Sequence, residues 1–176
     1  MELTFEVATA DDAAAIAALR TEAAEHLTRR FGRGHWSSAV TERGVLYTLK
    51  HAKVLVGRAD GRVLTVLRLA TKKPWAIDVA YFTPCERPLY LTDMAVAPEF
   101  QGRGLGRRAL EQAVRVARAW PADALRLDAY DAAAGAGGFY AKCGFVERGR
   151  VVYRKTPLVY FERRLDGPPG ERRRSG

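Results

Sequence analysis

The sequence has no apolar run approaching the roughly 20 residues that a membrane-crossing helix needs. Its first residues, MELTFEVATADD, carry acids where a secretory leader carries a basic segment and then an apolar one. Cysteine is scarce: Cys85 and Cys143 form no CxxC pair and match no zinc-ligand spacing. That scarcity excludes a disulfide scaffold and sets the expectation of a reduced, cytoplasmic protein with no metal site and no membrane contact. No internal repeat is visible. No Gly-Lys-Ser/Thr follows a glycine run, which excludes a Walker-type phosphate loop. Acids are the minority charge, 20 against 29 Lys and Arg, for a net charge of +9.

What is present suffices for one globular domain: 176 residues, 48% of them hydrophobic. The expected domain spans 1–165. The tail DGPPGERRRSG (166–176) lacks the apolar content to fold and is expected to be a disordered basic segment. It accounts for one unit of the excess charge, so the remainder is spread over the folded part. A basic surface suits an anionic partner such as nucleic acid, an acidic membrane or a polyphosphate cofactor. Nucleic-acid readers interleave basic residues with exposed aromatics or line them along a helix. No such stripe is present, and nucleic acid is disfavoured as a partner.

LTFEVA (3–8) alternates apolar and polar residues and predicts a first strand. Thr9 and Asp12 have the spacing of a capping box, in an acidic variant, ahead of the alanine-rich AAAIAALRTEAAEHL. The helix they open is expected to reach about Leu27, with Ile16, Leu19, Ala23 and Leu27 on one face. RFGRGHW (30–36) reads as a basic, glycine-punctuated loop, and 37–50 has room for a second short helix. Two strands, KVLVGRA and RVLTVLRLA, flank Asp60-Gly61, a favoured hairpin-turn dipeptide. The stretch 75–88 is too irregular to assign. LYLTDMAVA (89–97) is a strand ended by Pro98, and a helix is expected from about Gly104 to Trp120. LRLDAY (125–130), a glycine-weakened helix over 131–143 with Gly144 at its end, and two last strands complete the chain.

The segment VAPEFQGRGLGRRALEQA (96–113) sets three glycines at alternate positions squarely before a helix. A helix N-terminus leaves several N–H groups unpaired and carries partial positive charge. Glycine lets those donors approach an anion closely, and Arg103, Arg107 and Arg108 add charge nearby. The loop is built like a seat for a pyrophosphate. A dinucleotide fingerprint ranks second: Asp128 ends the next strand where an acid would hold a ribose hydroxyl. Against that reading, the glycines fall as GxGxG and five residues separate the strand from the first of them.

Gln101-Gly-Arg-Gly104-Leu-Gly106 fits the Q/R-x-x-G-x-G/A motif, and the chain here resembles the GNAT superfamily of N-acetyltransferases. The strand LYLTDMAV before the motif, LRLDAY after the helix, Phe139-Tyr140 and Cys143-Gly-Phe145 extend the resemblance closely over 89–148. It implies an α/β GNAT fold: a central mixed, mostly antiparallel sheet of about six to seven strands flanked by about four helices, with strands splayed at the cofactor cleft. It implies acetyl-CoA as cofactor, its pantetheine arm against the backbone at Met94, Ala95 and Val96. The pyrophosphate would sit on the amides from Gln101 through Gly102, Arg103, Gly104, Leu105 and Gly106 to Arg107. The acceptor would be an amine of a small molecule or peptide, acetylated by direct attack in a ternary complex. Dimerisation is common among such folds.

Acetyl transfer to an amine needs a neutral nitrogen, a donor for the carbonyl oxygen and a proton for the departing sulfur. Tyr140 matches the family tyrosine that commonly supplies that proton; as an isolated tyrosine it would read as a core aromatic beside Phe139. Asp93, on the strand just before Met94, stands where many relatives carry an acid that meets the amine. A solvated surface charge is the competing reading, and many relatives deprotonate the amine through water. His35 and Trp36 are candidates to line the acceptor site, with a stabilising loop aromatic as the equal alternative for Trp36. Asp78 and Glu86 are candidates for a second wall, though a solvated surface charge is the favoured reading of both. Ala133 stands where the family often has an asparagine that contacts the cofactor. That departure keeps open a non-catalytic module that binds coenzyme A as a sensor.

Overall fold

The computed structural model describes residues 2–165; the tail at 166–176, expected to be disordered, lies outside the described residues. The chain runs through β1 (Thr4–Val7), α1 (Ala13–Phe31), α2 (Glu42–His51), β2 (Lys53–Ala59), β3 (Arg62–Ala70) and β4 (Pro88–Val96). It continues through α3 (Leu105–Ala119), β5 (Ala124–Tyr130), α4 (Gly137–Lys142), β6 (Val146–Tyr153) and β7 (Thr156–Arg164). The seven strands form one mixed sheet in the order β1-β2-β3-β4-β5-β7-β6. Every neighbouring pair is antiparallel except β4 with β5. A mixed sheet with four helices is the architecture expected from the sequence.

Strand alternation divides the core into two layers. Leu55, Leu67, Leu91, Leu125, Leu127 and Phe161 face one side, where they pack with Leu110, Ala113 and Val114 of α3 and with Tyr140 of α4. Val54, Val56 and Val66 face the other, against Ile16 and Leu19 of α1 and Val45 of α2. A smaller cluster of Ile77, Phe82, Tyr90 and Tyr160 continues that second layer under the 71–87 connection. Helix α3 is strongly amphipathic, burying Leu105, Ala109, Leu110, Ala113, Val114 and Ala117 along one stripe.

Local chemistry sets several element ends. The Thr9 amide donates to the Asp12 carboxylate at 2.8 Å, closing one half of the expected capping box. Thr41 caps α2, its hydroxyl accepting from the Gly44 amide. Asp60 and Gly61 both take positive φ, as the tight turn between β2 and β3 requires. Other ends differ from expectation. Helix α1 runs past Leu27 to Phe31, because no glycine interrupts it before Gly32. The helix expected over 131–143 shrinks to Gly137–Lys142, since glycines at 135, 137 and 138 weaken helix propagation.

The irregular 71–87 connection is pinned to the second layer. Arg126 of β5 and Glu162 of β7 form a buried ion pair at 2.9 Å, with side chains 4% and 2% exposed. Arg126 also donates to the Thr83 carbonyl at 2.6 Å, and the Thr83 amide donates to Glu162 at 3.3 Å. The Tyr160 hydroxyl donates to the Ala76 carbonyl and accepts from the Asp78 amide. Each buried charge has several partners, which keeps its desolvation tolerable.

Candidate active site

The parallel pairing of β4 with β5 covers only Pro88, Leu89 and Tyr90 against Ala124, Leu125 and Arg126. Beyond Tyr90 the strands part, while β5 stays fully paired to β7 as far as Tyr130 and Leu158. The cause lies in β4. Two residues, Asp93 and Met94, stand where β3 offers one between Val66 and Arg68, and Asp93 takes a left-handed φ of 57°. Such a bulge bends its strand. The edge of β4 that faces β5 beyond Tyr90 therefore has no strand partner.

A cavity of about 440 Å³ fills the gap. Met94, Ala95, Asp128, Ala136 and Tyr140 line it, and so do Arg20, Leu27, His35, Trp36 and Asp93. It passes between the two layers. Tyr140 belongs to the α3–α4 side, whereas α1 and the 32–41 connection close the opposite side. Ala23 and Leu27, read from sequence as part of the core face of α1, are only half-buried because that face runs out of the core into the cleft.

Trp36 and His35 both line this cleft. Trp36 donates its indole N–H to the Gly32 carbonyl at 3.1 Å and packs edge-on to Tyr130, ring centroids 5.6 Å apart. His35 stacks on the same tyrosine at 6.5 Å. Asp78 and Glu86 do not reach it. The Asp78 carboxylate accepts from the Ala80 amide at 3.0 Å within the 71–87 connection, and exposed Glu86 donates its amide to Asp123. Both lie on the pinned connection, away from the residues that line the cleft.

Asp93 lies in the cleft with its carboxylate held by arginines on two elements. Arg20 of α1 donates to it at 2.7 Å and Arg68 of β3 lies 3.6 Å away. Tyr140 is buried, its hydroxyl 3.8 Å from the Met94 sulfur. Burial pushes its phenol well above the ordinary range, and the Asp128 carboxylate and Cys143 push the same way. Tyr140 thus keeps its proton at any physiological pH.

Beside the cleft, the loop after β4 carries Gly102 and Gly104 at φ values of 74° and 82°, with open space where a Cβ would stand. The amides from Gly102 to Arg107 find no acceptor among the described residues, and Gly104 precedes α3 with no side-chain cap. Gln101 braces the loop by donating to the Val96 carbonyl at 3.2 Å. Gly106 serves another purpose. Inside the helix, a Cβ there would meet the Phe139 ring at 3.1 Å, so this glycine lets α3 and α4 approach. Arg108 also turns away, donating to the Leu3 carbonyl at 3.2 Å. Exposed Arg103 and Arg107 remain beside the free amides. A row of free amides at the start of a 15-residue helix, with two arginines alongside, fits a diphosphate.

Asp128, which only the second-ranked dinucleotide reading gave a role, lines the cleft. Asp128 of β5 shares a face with Arg126, Tyr130 and Tyr160, opposite to Leu127, and so looks toward the α1 side. Strict alternation in LRLDAY was the signal for this.

A family model described as "Acetyltransferase (GNAT) family" matches residues 14–145. A search of curated proteins by sequence gives no match. Among solved structures, an N-acetyltransferase from Staphylococcus aureus Mu50 superposes with a TM-score of 0.71 at 17% identity, covering 94% of this chain and 100% of that one. The PaiA N-acetyltransferase of Thermoplasma acidophilum, in complex with coenzyme A, gives 0.72 at 13% identity, covering 93% and 99%. The ribosomal-protein-alanine N-acetyltransferase of Brucella melitensis gives 0.71 at 21% identity, covering 92% and 99%. At these identities the structures share the fold.

Proposed function

The chain belongs to the GNAT family of acetyltransferases, and from that premise we propose that it acetylates a primary amine of a small molecule or peptide, by direct attack with donor and acceptor bound together. Its donor, acetyl-CoA, supplies when bound a thioester carbonyl that an amine attacks. The observation that carries the reading is the parting of β4 and β5 after Tyr90, beside a loop of unpaired amides. The unpartnered edge at Met94, Ala95 and Val96 suits an amide-bearing arm, which extends a strand edge by hydrogen bonds. The amides from Gly102 to Arg107, with Arg103 and Arg107, suit a diphosphate.

Tyr140 is the proton donor in this proposal. Its burial supports that role, because a phenol held far from ionisation stays loaded until charge develops beside it. Asp93 meets the acceptor side in the company of Arg20 and Arg68, and we assign it the positioning of the bulge. Its left-handed backbone is disfavoured for most residues, and two guanidinium groups hold its side chain there. His35 and Trp36 form the acceptor wall with Tyr130. Both cysteines are free thiols, in keeping with a cytoplasmic setting. No helix among the described residues is long and apolar enough to cross a membrane.

Titration calorimetry with acetyl-CoA tests the reading. Saturable binding, weakened by Gly104→Val, is expected, with thiol release once a suitable amine is added. Absence of heat at millimolar ligand overturns it.

A further inference from the structure

The 32–41 connection, which closes one side of the cleft, also walls a second cavity of about 280 Å³ against α1. Ala24 and Ser38 line both cavities, so the groove runs on from the cleft. Two latches hold the connection to the helix. The Thr28 and Ser37 hydroxyls hydrogen-bond at 2.7 Å, and Ser37 Oγ accepts from the Gly34 amide at 3.0 Å. Thr21 Oγ1 accepts from the Val40 amide at 3.1 Å and donates to the Val40 carbonyl at 3.3 Å. Between the latches the helix presents Ala24 and the connection presents Ala39, and these small side chains leave the space open. The groove is basic. Arg29 and Arg33 line it, with Glu25 as its one acid, so one unit of positive charge is left over. Arg33 has no hydrogen-bond or ion-pair partner among the described residues. Arg29 reaches only Glu25, at 3.8 Å, with both side chains more than half exposed. Guanidinium groups paired this loosely are available to a planar anion that can accept from both N–H groups of the fork.

We propose that this groove is a far subsite for the acceptor: the amine reacts in the cleft while a carboxylate at the acceptor's other end lies between Arg29 and Arg33. This rests on the acetyltransferase reading and deepens it, because it names the acceptor class. The single surplus charge suits a carboxylate better than a doubly charged phosphate. Spacing narrows the class further. Ala24, where groove and cleft meet, precedes Arg29 by five residues, about 7.5 Å along a helix axis. The acceptor therefore carries its amine and its carboxylate several bonds apart, as a short peptide does. An α-amino acid is too short to reach the arginines from the cleft. The latches fix the groove before the acceptor arrives, so little ordering accompanies binding.

The test uses the full chain and its double variant Arg29→Gln/Arg33→Gln, with two pairs of acceptors. Triglycine, about 10 Å when extended, is compared with triglycine amide, which lacks only the carboxylate. Glycine and glycinamide form the pair too short to span. Thiol release from acetyl-CoA gives kcat/KM for each, and the ratio within a pair, compared between the two proteins, cancels the intrinsic reactivity of the amines. The preference for triglycine over its amide is expected to fall about tenfold in the variant, chiefly through KM, while the glycine ratio stays the same. Calorimetry in the presence of coenzyme A should show triglycine bound more tightly than its amide by the wild type and equally by the variant. Coenzyme A binding by both proteins shows that both are folded. An unchanged triglycine preference in the variant, an equal shift in the glycine pair, or no triglycine binding by the wild type overturns the proposal. Failure of the wild type to bind acetyl-CoA is a separate result and sinks the acetyltransferase reading.

Discussion

The two walls of the cleft are neighbouring strands built on opposite plans. The β4 wall is irregular: it bulges at Asp93, leaves its partner after Tyr90 and ends in a glycine loop. Its acid is clamped between Arg20 and Arg68. The β5 wall is regular, paired to β7 from Ala124 to Tyr130 and anchored by the buried Arg126–Glu162 pair. Its acid, Asp128, has no cation among the described residues. Charge pairing is spent where the backbone is strained, and the unpaired acid is carried where the backbone is secure. A site needs both: an opened edge to admit ligands and a rigid strand to aim chemistry at them.

The largest effect is expected at the residue between the walls. Tyr140→Phe should lower turnover by about 10²–10⁴-fold while leaving acetyl-CoA affinity unchanged, because only the proton is removed. Steady-state kinetics with parallel calorimetry reads this, and unchanged turnover removes Tyr140 from the mechanism. On the β5 wall, Arg126→Met strands a buried carboxylate and should cost about 3–5 kcal/mol in urea denaturation. The double variant Arg126→Met/Glu162→Leu should regain much of that loss, and the absence of recovery would mean that the pair is not the anchor.

The β4 wall should yield more cheaply. Gly104→Val forces a β-branched residue to a φ of 82° and should cost about 1–3 kcal/mol, with weakened acetyl-CoA binding. Gly106→Ala should leave loop binding intact and show its cost in α3–α4 packing instead. Asp93→Asn keeps a residue tolerant of the left-handed conformation and removes only the charge. Because the amide can still accept from Arg20, it should cost about 1 kcal/mol, and a much larger loss would make the clamp more than an anchor of the bulge.

The smallest change has the opposite sign. Burial raises the Asp128 carboxyl in the folded state from its ordinary 3.8, so the folded protein binds that proton more tightly than the unfolded chain. The ionised group therefore costs stability at neutral pH, and the cost disappears as the pH falls through the raised value to below 3.8. Asp128→Asn should raise Tm slightly at pH 7, with the gain fading in acid. A residue kept for structure would give a loss, whereas a group held for chemistry gives this gain.

Much of the frame was legible because it is local. The Asp60-Gly61 turn, the Thr9–Asp12 cap and the amphipathic stripe of α3 depend on residues within a few positions of each other. The glycine loop was legible for the same reason, except that its third glycine proved to be a packing residue answering to Phe139, a contact that sequence distance hides. Trp36 lines the cleft. Asp78 and Glu86, weighed as a second wall against solvated surface charges, lie outside it, and nothing in 75–88 announces that Arg126 and Glu162 tie that stretch down. Asp128 was weighed only in the second-ranked dinucleotide reading, since alternation assigns a residue to a face without saying what covers that face.

The sequence by itself determined the order of elements, the glycine loop before α3 and the family. These follow from periodicity and backbone preference, which act along the chain. Only the tertiary structure decided which acid is clamped and which is free, because an ion pair depends on distance in space. Arg20 and Arg68 stand 73 and 25 positions before Asp93 and yet close on it. Asp128, on the adjacent strand, meets no cation among the described residues, because Arg20 across the cleft is bound to Asp93 and Arg126 on its own strand is bound to Glu162.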